Sequence, residues 1–579
     1  MGRIGEESGS ESLRFLRAFF RSRYPLAIAA GALLAAAFPD LGIAGMAWIA
    51  PGLILVCGIG KPAKTAFRLG YVAGVAHYLV SLSWLLNIPV TFLPILAWAA
   101  LAAFLALYPG VWVWWCWKIY PVKIAGRAPA GETGAEAGPK LTEQFLAVPL
   151  ARRLHWTIAC AALWVAWEMI ISRFLGGFPW NLLGNSQFQM TPIIQIASFT
   201  GVYGVSFLAV WTAVSLMAAV MVVIRGQPIR SASLSPMAPA PMANSFRSAW
   251  FGDVIFPAAV VGGLFLTGYH TLLRPETKTR EITVALIQPS IPQNMIWDRT
   301  EDSNRFQEVL QLSRDALTNK PDIVIWPESA VPELVRLHAD ISDPIAELAR
   351  TNKVWLIICA DDYLPHPGAT NLRDSDFFNS SFLVSPEGRF VAEYKKRNLV
   401  IFGEYVPLVK WMPFLKYLTP IDGGFTAGDR VVPFDLKGLN AHVSVLICFE
   451  DVFAHFAREY VMDDTDFLVN LTNDGWFGEG SAQRQQAAAA VFRAVENGVP
   501  LVRCSNNGLT CWADSHGRLR QVLNTKRGIY GPGFLIARIP APEIKRAATF
   551  YRRHGDWFGW GCVGFGLLQV ARVWRRKTG

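Results

Sequence analysis

The run VSVLICFED (443–451) reads as a short apolar strand that ends on a thiol, Cys448, with the carboxylates Glu450 and Asp451 just beyond it. A second run of the same kind, IVIW (323–326), stops two residues before Glu328. Between the two lies KRNLVIFGE (396–404), which supplies an ammonium at Lys396 and a carboxylate at Glu404. In α/β proteins functional groups gather beyond the C-terminal ends of strands. Working outward, further strands are expected at 282–288, 354–359, 380–384, 467–471, 501–504 and 534–539. Helices are expected at about 299–319, 343–351, 452–462 and 481–497. Ser481 is the expected N-cap of the last helix and Gly498 its stop signal. Strands alternating with helices define an α/β domain. Periodicity leaves its topology open.

The rest of the chain is unlike a soluble protein. Of its 579 residues 52% are hydrophobic and only 17% charged, against a globular norm of about 25% charged. The apolar excess is uneven: 24–272 is mostly apolar, 273–555 reads as an ordinary aqueous domain, and the tail is apolar again. A membrane span needs roughly 20 apolar residues. Eight spans are expected, at about 24–38, 42–59, 66–86, 91–116, 156–172, 193–224, 253–272 and 557–574. The first is short and closes on Pro39, as half of a tight hairpin with the second; the sixth is long enough to tilt or project. Arg14, Arg17, Arg21 and Arg23 precede the first run as they would in a signal peptide. Seven further spans and no cleavage site favour an uncleaved anchor.

Lys and Arg are retained on the cytoplasmic side of short loops. They cluster before the first run, after the second (Lys61, Lys64, Arg68), after the fourth (Lys118, Lys123, Arg127, Lys140, Arg152, Arg153), after the sixth (Arg225, Arg230, Arg247) and in the tail (Arg572, Arg575, Arg576, Lys577). The intervening loops hold almost none. This alternation puts both termini inside and the block 273–555 outside the cytoplasm. The expected organisation is a cytoplasmic segment (1–23), a membrane bundle (24–272), an extracytoplasmic α/β domain (273–555), and a last span with a basic tail (556–579). The Ala-, Gly-, Pro- and Ser-rich segments 124–143 and 226–248 read as cytoplasmic linkers. The net charge of +10 sits largely beside apolar spans, and no nucleic-acid-binding motif accompanies it. The eight cysteines include no CxxC pair and no Cys/His ligand spacing, which argues against metal and redox roles. One disulfide among the four in 273–555 stays open.

The three stretches hold the groups needed to attack a carbonyl. A carboxylate at Glu328 can take a proton from a thiol, the more so if burial raises its pKa. A thiolate at Cys448, favoured by a helix start and a nearby ammonium, attacks an ester and keeps the acyl group as a thioester. Lys396 stabilises the thiolate and then the oxyanion, and Glu404 orients the ammonium or shares its proton transfer. Each residue alone has an ordinary explanation: a solvated loop glutamate, a buried small cysteine, a basic surface run, a turn glutamate.

In order and in context they resemble the Glu-Lys-Cys triad of the nitrilase superfamily. With spans on both sides, the chain resembles the apolipoprotein N-acyltransferase family within it. The matching stretches are LIQP (286–289) with Trp297-Asp298, WPESAVP (326–332), NLVIFGEYVPL (398–408), LICFED (446–451), TNDGWFG (472–478), SNNG (505–508) and GFPWNLLGNSQ (177–187). The resemblance implies an αββα sandwich beside the bundle. It implies Glu328 as general base, Lys396 as triad lysine and Cys448 as nucleophile, with Glu404 and Glu450 as supporting carboxylates and Trp297 and Trp476 as aromatics lining or gating the site. It further implies a phospholipid acyl donor and a diacylated apolipoprotein acceptor. No metal or diffusible cofactor is implied, and no nucleic acid. The expected protein is a monomer in the bacterial inner membrane with its catalytic domain on the periplasmic side. Three positions depart from the family's pattern: Phe449 where a tyrosine often stands, Ile401 for a frequent proline, and Gln485-Gln486 for a frequent Gln-His pair. The competing readings are a membrane-tethered carbon–nitrogen hydrolase acting on small substrates, and a transporter or scaffold with an inactive domain. Glu168, in the fifth span, is the one midspan carboxylate to watch.

Overall fold

Strand β1 (Thr279–Gln288) is buried without interruption from Val284 to its end, so it lies inside a sheet rather than at an edge. It pairs in parallel with β2 (Ile323–Ile325), which pairs in parallel with β3 (Trp355–Pro365). Antiparallel strands β4 (Ser375–Val384) and β5 (Phe390–Lys395) extend one side, and β12 (Gly533–Pro542) closes the other, giving the order β12-β1-β2-β3-β4-β5. A second six-stranded sheet repeats the plan in the order β11-β10-β9-β8-β7-β6. Its parallel centre is β7 (Ala441–Ile447), β8 (Phe467–Thr472) and β9 (Leu501–Ser505). Its antiparallel edges are β6 (Phe434–Leu436) on one side and β10 (Cys511–Ala513) with β11 (Leu519–Val522) on the other. All eight expected strands are present. Parallel strands buried on both faces read as continuous apolar runs, which is why the six parallel strands were legible; the antiparallel β4 and β12 are ten residues each, long enough to show. The four strands the sequence did not disclose, β5, β6, β10 and β11, are short and stand toward the sheet edges.

This is a computed structural model, and it describes residues 22–90, 92–121, 148–225, 250–274, 279–368, 370–407, 411–412, 424–543 and 546–578. The expected linkers 124–143 and 226–248, and residues 1–21 of the expected N-terminal segment, lie outside the described residues.

The two sheets pack face to face. Val284, Leu286, Ile323 and Ile325 of the first meet Val445, Ile447, Val469 and Val502 of the second in one core. Cys504 Sγ sits 3.2 Å from Ile287 O and 3.3 Å from Ile325 O across that core. Helices Asp302–Leu317 and Ala339–Asn352 cover the outer face of the first sheet through Phe306, Val309, Ile345 and Leu348. Helix Ala482–Asn497 lies on the second. The result is the layered α/β sandwich that the resemblance implied. Ser481 holds the N-cap position of that helix, but its side chain makes no capping hydrogen bond; Gly498, at φ +70°, stops it. The helix expected at 452–462 does not form as one piece. Phe453 is extended (φ −90°, ψ 105°) and divides the segment into a 3-10 turn, Cys448–Val452, and two further single turns.

The apolar regions fold as helices, but the expected count of eight spans is not met by length and composition. Among the described residues four helices are long and apolar enough to cross a membrane: Leu93–Lys118, Leu150–Ile171, Val202–Val222 and Phe251–Leu272. The first two expected spans form helices of 13 and 8 residues, Tyr24–Ala36 and Ala50–Cys57. At 1.5 Å per residue the longer reaches roughly 20 Å, short of a hydrocarbon core of about 30 Å. Ala63–Ser81 carries Lys64, Arg68 and His77 on its length, and Trp557–Thr578 runs into the basic tail. The long sixth run breaks at Gly201, whose φ of +68° separates two single-turn helices from Val202–Arg225. A Cβ there would meet the Tyr551 ring at 2.6 Å. Glu168 is buried; its Oε1 accepts from Leu183 N (2.8 Å) and Trp164 Nε1 (2.9 Å), and it borders a cavity also lined by His77, Trp167 and Asn181.

One glutamine locks the helical part to the sandwich. Gln485 Oε1 accepts from Trp84 Nε1 (3.2 Å) and Trp180 Nε1 (2.9 Å), and its Nε2 donates to Pro39 O (2.7 Å) and Ser81 O (3.1 Å). Three separate loops of the apolar region thus converge on one side chain. Gln485→Ala leaves two buried indole N–H groups without acceptors, at about 1–3 kcal/mol each. We expect a Tm lowered by at least about 2 °C in thermal unfolding of the detergent-solubilised protein. An unchanged Tm would show that the junction is held elsewhere.

Candidate active site

Glu328 leaves β2 by way of Trp326, whose indole donates to Ser313 Oγ at 2.9 Å and so anchors the strand end to the covering helix. Lys396 follows β5 directly, and its N–H donates to Asn379 O at 2.8 Å, continuing the β4–β5 ladder by one bond. Glu404 lies in the turn after it, where Phe402 takes φ +61°. These segments bring three charges together in the interior. Lys396 Nζ is 2.9 Å from Glu404 Oε1 and 3.4 Å from Glu328 Oε1, with all three residues buried. Asn379 Nδ2 donates to both carboxylates, at 2.8 Å and 3.0 Å. The far oxygens are held by backbone: Asn473 N to Glu328 Oε2 and Val400 N to Glu404 Oε2, each at 2.9 Å. Burial by itself works against the charge on Lys396. Glu404 first and Glu328 second outweigh that and hold it charged well above the ordinary lysine range.

Cys448 stands one residue past β7 at φ +54°, a conformation that costs a non-glycine residue about 1–3 kcal/mol. It is partly exposed, whereas the other cysteines are buried, and all eight are free thiols. The thiol lies within electrostatic reach of Glu328, Lys396 and Glu404. Here the structure corrects an expectation. No α-helix begins at Cys448, only a single 3-10 turn, so no helix dipole favours thiolate. Burial, and next the Glu328 carboxylate, push the thiol well above its ordinary range against the opposing pull of Lys396. Both effects favour the thiol over the thiolate.

Glu450 lies behind the sulfur and stitches two segments together. It accepts from Ile447 N (2.8 Å), Arg397 N (2.9 Å), Asn398 N (3.0 Å) and the Tyr394 hydroxyl (3.0 Å). The residue before Cys448 and the residue after Lys396 thereby share one carboxylate. Burial raises Glu450 from its ordinary 4.5 to about 7, although these bonds pull the other way. The folded state therefore binds this proton more tightly than the unfolded chain. Its contribution to stability is complete below about pH 4.5 and is lost as pH rises through about 7, on the order of 3 kcal/mol in all. We expect wild-type Tm to fall more steeply than that of Glu450→Gln between about pH 5 and about pH 8. Parallel curves would remove Glu450 from the linkage.

Trp297 and Trp476 pack on each other, rings 5.3 Å apart at 75°. Trp476 belongs to the turn Asp474–Phe477, which begins one residue after Asn473 and its bond to Glu328. Phe477 of the same turn meets Trp84 of the helical part at 4.5 Å, ring to ring. Phe449, without a hydroxyl, still faces Lys396 Nζ at 5.9 Å from its ring centre. An apolar cluster of Leu82, Trp84, Tyr108, Trp180, Val452 and Phe453, with Phe449 and Phe477 against it, runs from the helical part to the residue beside Cys448. Sequence reasoning missed Asn379 and Asn473. Asn379 is one polar residue in a strand and carries no motif; its value comes from standing between two carboxylates.

The fold and this site define an α/β enzyme of the carbon–nitrogen hydrolase class joined to an apolar helical region. A family model described as Carbon-nitrogen hydrolase matches residues 283–546, and one described as Apolipoprotein N-acyltransferase N-terminal domain matches 30–215. A protein of Geobacter metallireducens named Apolipoprotein N-acyltransferase is 35% identical over 568 residues, covering 96% of each chain. Another of that name, from Vibrio vulnificus, is 29% identical over 577 residues, covering 96% of this chain and 98% of its own. An amidase from Nesterenkonia sp. of known structure aligns at 17% identity with a TM-score of 0.32, covering 46% of this chain and 92% of its own. The chain belongs to the apolipoprotein N-acyltransferase family, and with it to the acyltransferases.

Proposed function

We propose that this protein N-acylates lipoproteins by a two-step transfer through Cys448. Glu328 takes the proton of Cys448 as its sulfur bonds to the ester carbonyl of a phospholipid. The oxyanion of the tetrahedral intermediate rests against Lys396 Nζ and nearby backbone N–H groups. The carbon–oxygen bond then breaks, the proton passes from Glu328 to the departing alkoxide, and a lysophospholipid leaves an acyl thioester on Cys448. In the second step the neutral α-amino group of a diacylglyceryl-cysteine attacks the thioester and gives its proton to Glu328; the carbon–sulfur bond breaks, Glu328 passes the proton to the departing sulfur, and the N-acylated product leaves the free thiol. Glu404 and Glu450 hold Lys396 and the nucleophile turn, and Trp297 with Trp476 gates the entrance. The chemistry draws only on these side chains and the two lipid substrates. The observation that carries the reading is Lys396, buried between Glu328 and Glu404 and within electrostatic reach of a strained, partly exposed cysteine. A thiol pushed toward its neutral form by burial and by Glu328 fits a step in which base and nucleophile react together.

The apolar cluster leading to Phe449 supports lipid substrates, whose acyl chains need an apolar seat. It also limits water, and thioester hydrolysis with it. In this reading eight apolar segments, some entering the bilayer as paired short helices, form the bundle of 24–272 and the last span of 556–579. Both termini face the cytoplasm, and the catalytic domain 273–555 lies on the periplasmic side of the bacterial inner membrane. The protein works as a monomer. Incubation with phospholipid and intact-mass analysis tests the function: wild type should gain one acyl group, released by hydroxylamine. Ammonia release from small amides with no acyl gain would favour a tethered hydrolase instead.

A further inference from the structure

Behind the nucleophile the buried polar groups close into a ring. The Cys448 carbonyl accepts two side-chain amides, Asn470 Nδ2 at 2.8 Å and Gln486 Nε2 at 3.0 Å. Gln486 Nε2 donates also to Asp451 Oδ1 at 2.9 Å. Arg503 Nη1 completes the circuit, donating to Asp451 Oδ2 at 2.9 Å and to Asn470 Oδ1 at 2.8 Å. Its Nη2 reaches outside the ring to Asp474 at 2.8 Å and 3.0 Å, and Asp474 opens the turn that carries Trp476. Asn470, Gln486, Asp451, Arg503 and Asp474 are all buried.

The left-handed backbone of Cys448 needs a reason to persist, because with β7 held in its sheet a turn about the Cys448 N–Cα bond would relieve the strain. That rotation carries the carbonyl away from both amides and leaves buried donors and an acceptor unpaired. We infer that Asn470 and Gln486 are positioning residues: by gripping the Cys448 carbonyl they hold the nucleophile in the conformation that sets its thiol beside Glu328. Arg503 fixes the angle of both grips and ties them to the turn of Trp476. The inference rests on Cys448 as the nucleophile proposed above.

The test uses the full-length protein with Asn470→Leu and Gln486→Met, which keep side-chain size and remove the donor. Leu348→Ala, in the helix covering the far sheet, serves as a destabilised control. Two readouts are taken: acyl-thioester formation from phospholipid, and the pH profile of Cys448 alkylation by iodoacetamide, located by peptide mass. Each ring variant should form thioester roughly 10–100-fold more slowly, with half-saturation changed less than about threefold. The alkylation profile of Cys448 should move about one pH unit lower as the thiol leaves Glu328. The control should match wild type per folded molecule in both. Alkylation profiles in the ring variants that coincide with wild type overturn the inference, whatever the thioester rate. If wild type itself forms no thioester, the acyl-transfer reading fails, and the alkylation profiles still decide the positioning role.

Discussion

Cys448→Ala should remain folded in the membrane fraction yet show no acyl-sized mass gain after incubation with phospholipid, and its transfer to a lipoprotein acceptor should drop by on the order of 10⁴-fold or more. Of the three side chains Glu328, Lys396 and Cys448, the sulfur is the one suited to carry the acyl chain between donor and acceptor. Lys396 is a cation held by two carboxylates, and Glu328 is already hydrogen-bonded through both oxygens. Folding should be spared because Cys448 is only partly buried, and alanine at φ +54° is no more strained than cysteine. Cys448→Ser keeps the shape with a far less acidic nucleophile and should also fail to turn over. An acyl gain of equal size in wild type and Cys448→Ala would reject Cys448 as the carrier.

Lys396→Met should be nearly as damaging, and through two separate effects. Loss of one oxyanion donor commonly costs about 10²–10³ in rate. The substitution also leaves Glu328 and Glu404 facing each other across Asn379 with no cation between them. Two buried carboxylates so placed resist joint ionisation, and a proton held between them blocks Glu328 as a base. Together we expect thioester formation slower by roughly 10³–10⁴-fold. Breaking a buried ion pair typically destabilises by about 3–5 kcal/mol, so Tm should fall as well. The sign with pH is definite. Without the ammonium the folded state takes up a proton that the unfolded carboxylates release, so the deficit against wild type should shrink toward acid pH and widen as pH rises. A deficit independent of pH, or a variant that forms thioester at the wild-type rate, would remove Lys396 from the centre of the site. Lys396→Arg keeps the charge, but its planar fork does not fit the position of one compact ammonium, and it should recover stability before activity.

Glu328 and Cys448 were legible in the sequence because chemistry at strand ends leaves a local pattern: an apolar run, then one reactive residue; Lys396 was legible through its motif between them, since the strand before it, β5, was not. The parallel strands were legible for a related reason, since burial on both faces demands an unbroken apolar run. The short strands β5, β6, β10 and β11 lack that demand and stayed hidden, whereas the ten-residue edge strand β12 was visible. The apolar runs were equally visible, but composition reports what a segment can bury and not whether it stays straight. Pro39, Pro51 and Gly201 decide that: two of the runs became short helices and a third broke. Nothing local predicted that Cys448 would sit at a strained turn with its thiol held toward the neutral form, since both properties come from what surrounds it. The same holds for Asn379, Asn470 and Gln486. An amide has no chemistry of its own to announce, and its role exists only where folding places it between two carboxylates or against one carbonyl. The sequence by itself determined which reactive groups are present and which segments bury themselves. The tertiary structure alone decided their distances, and pKa and orientation follow from distance.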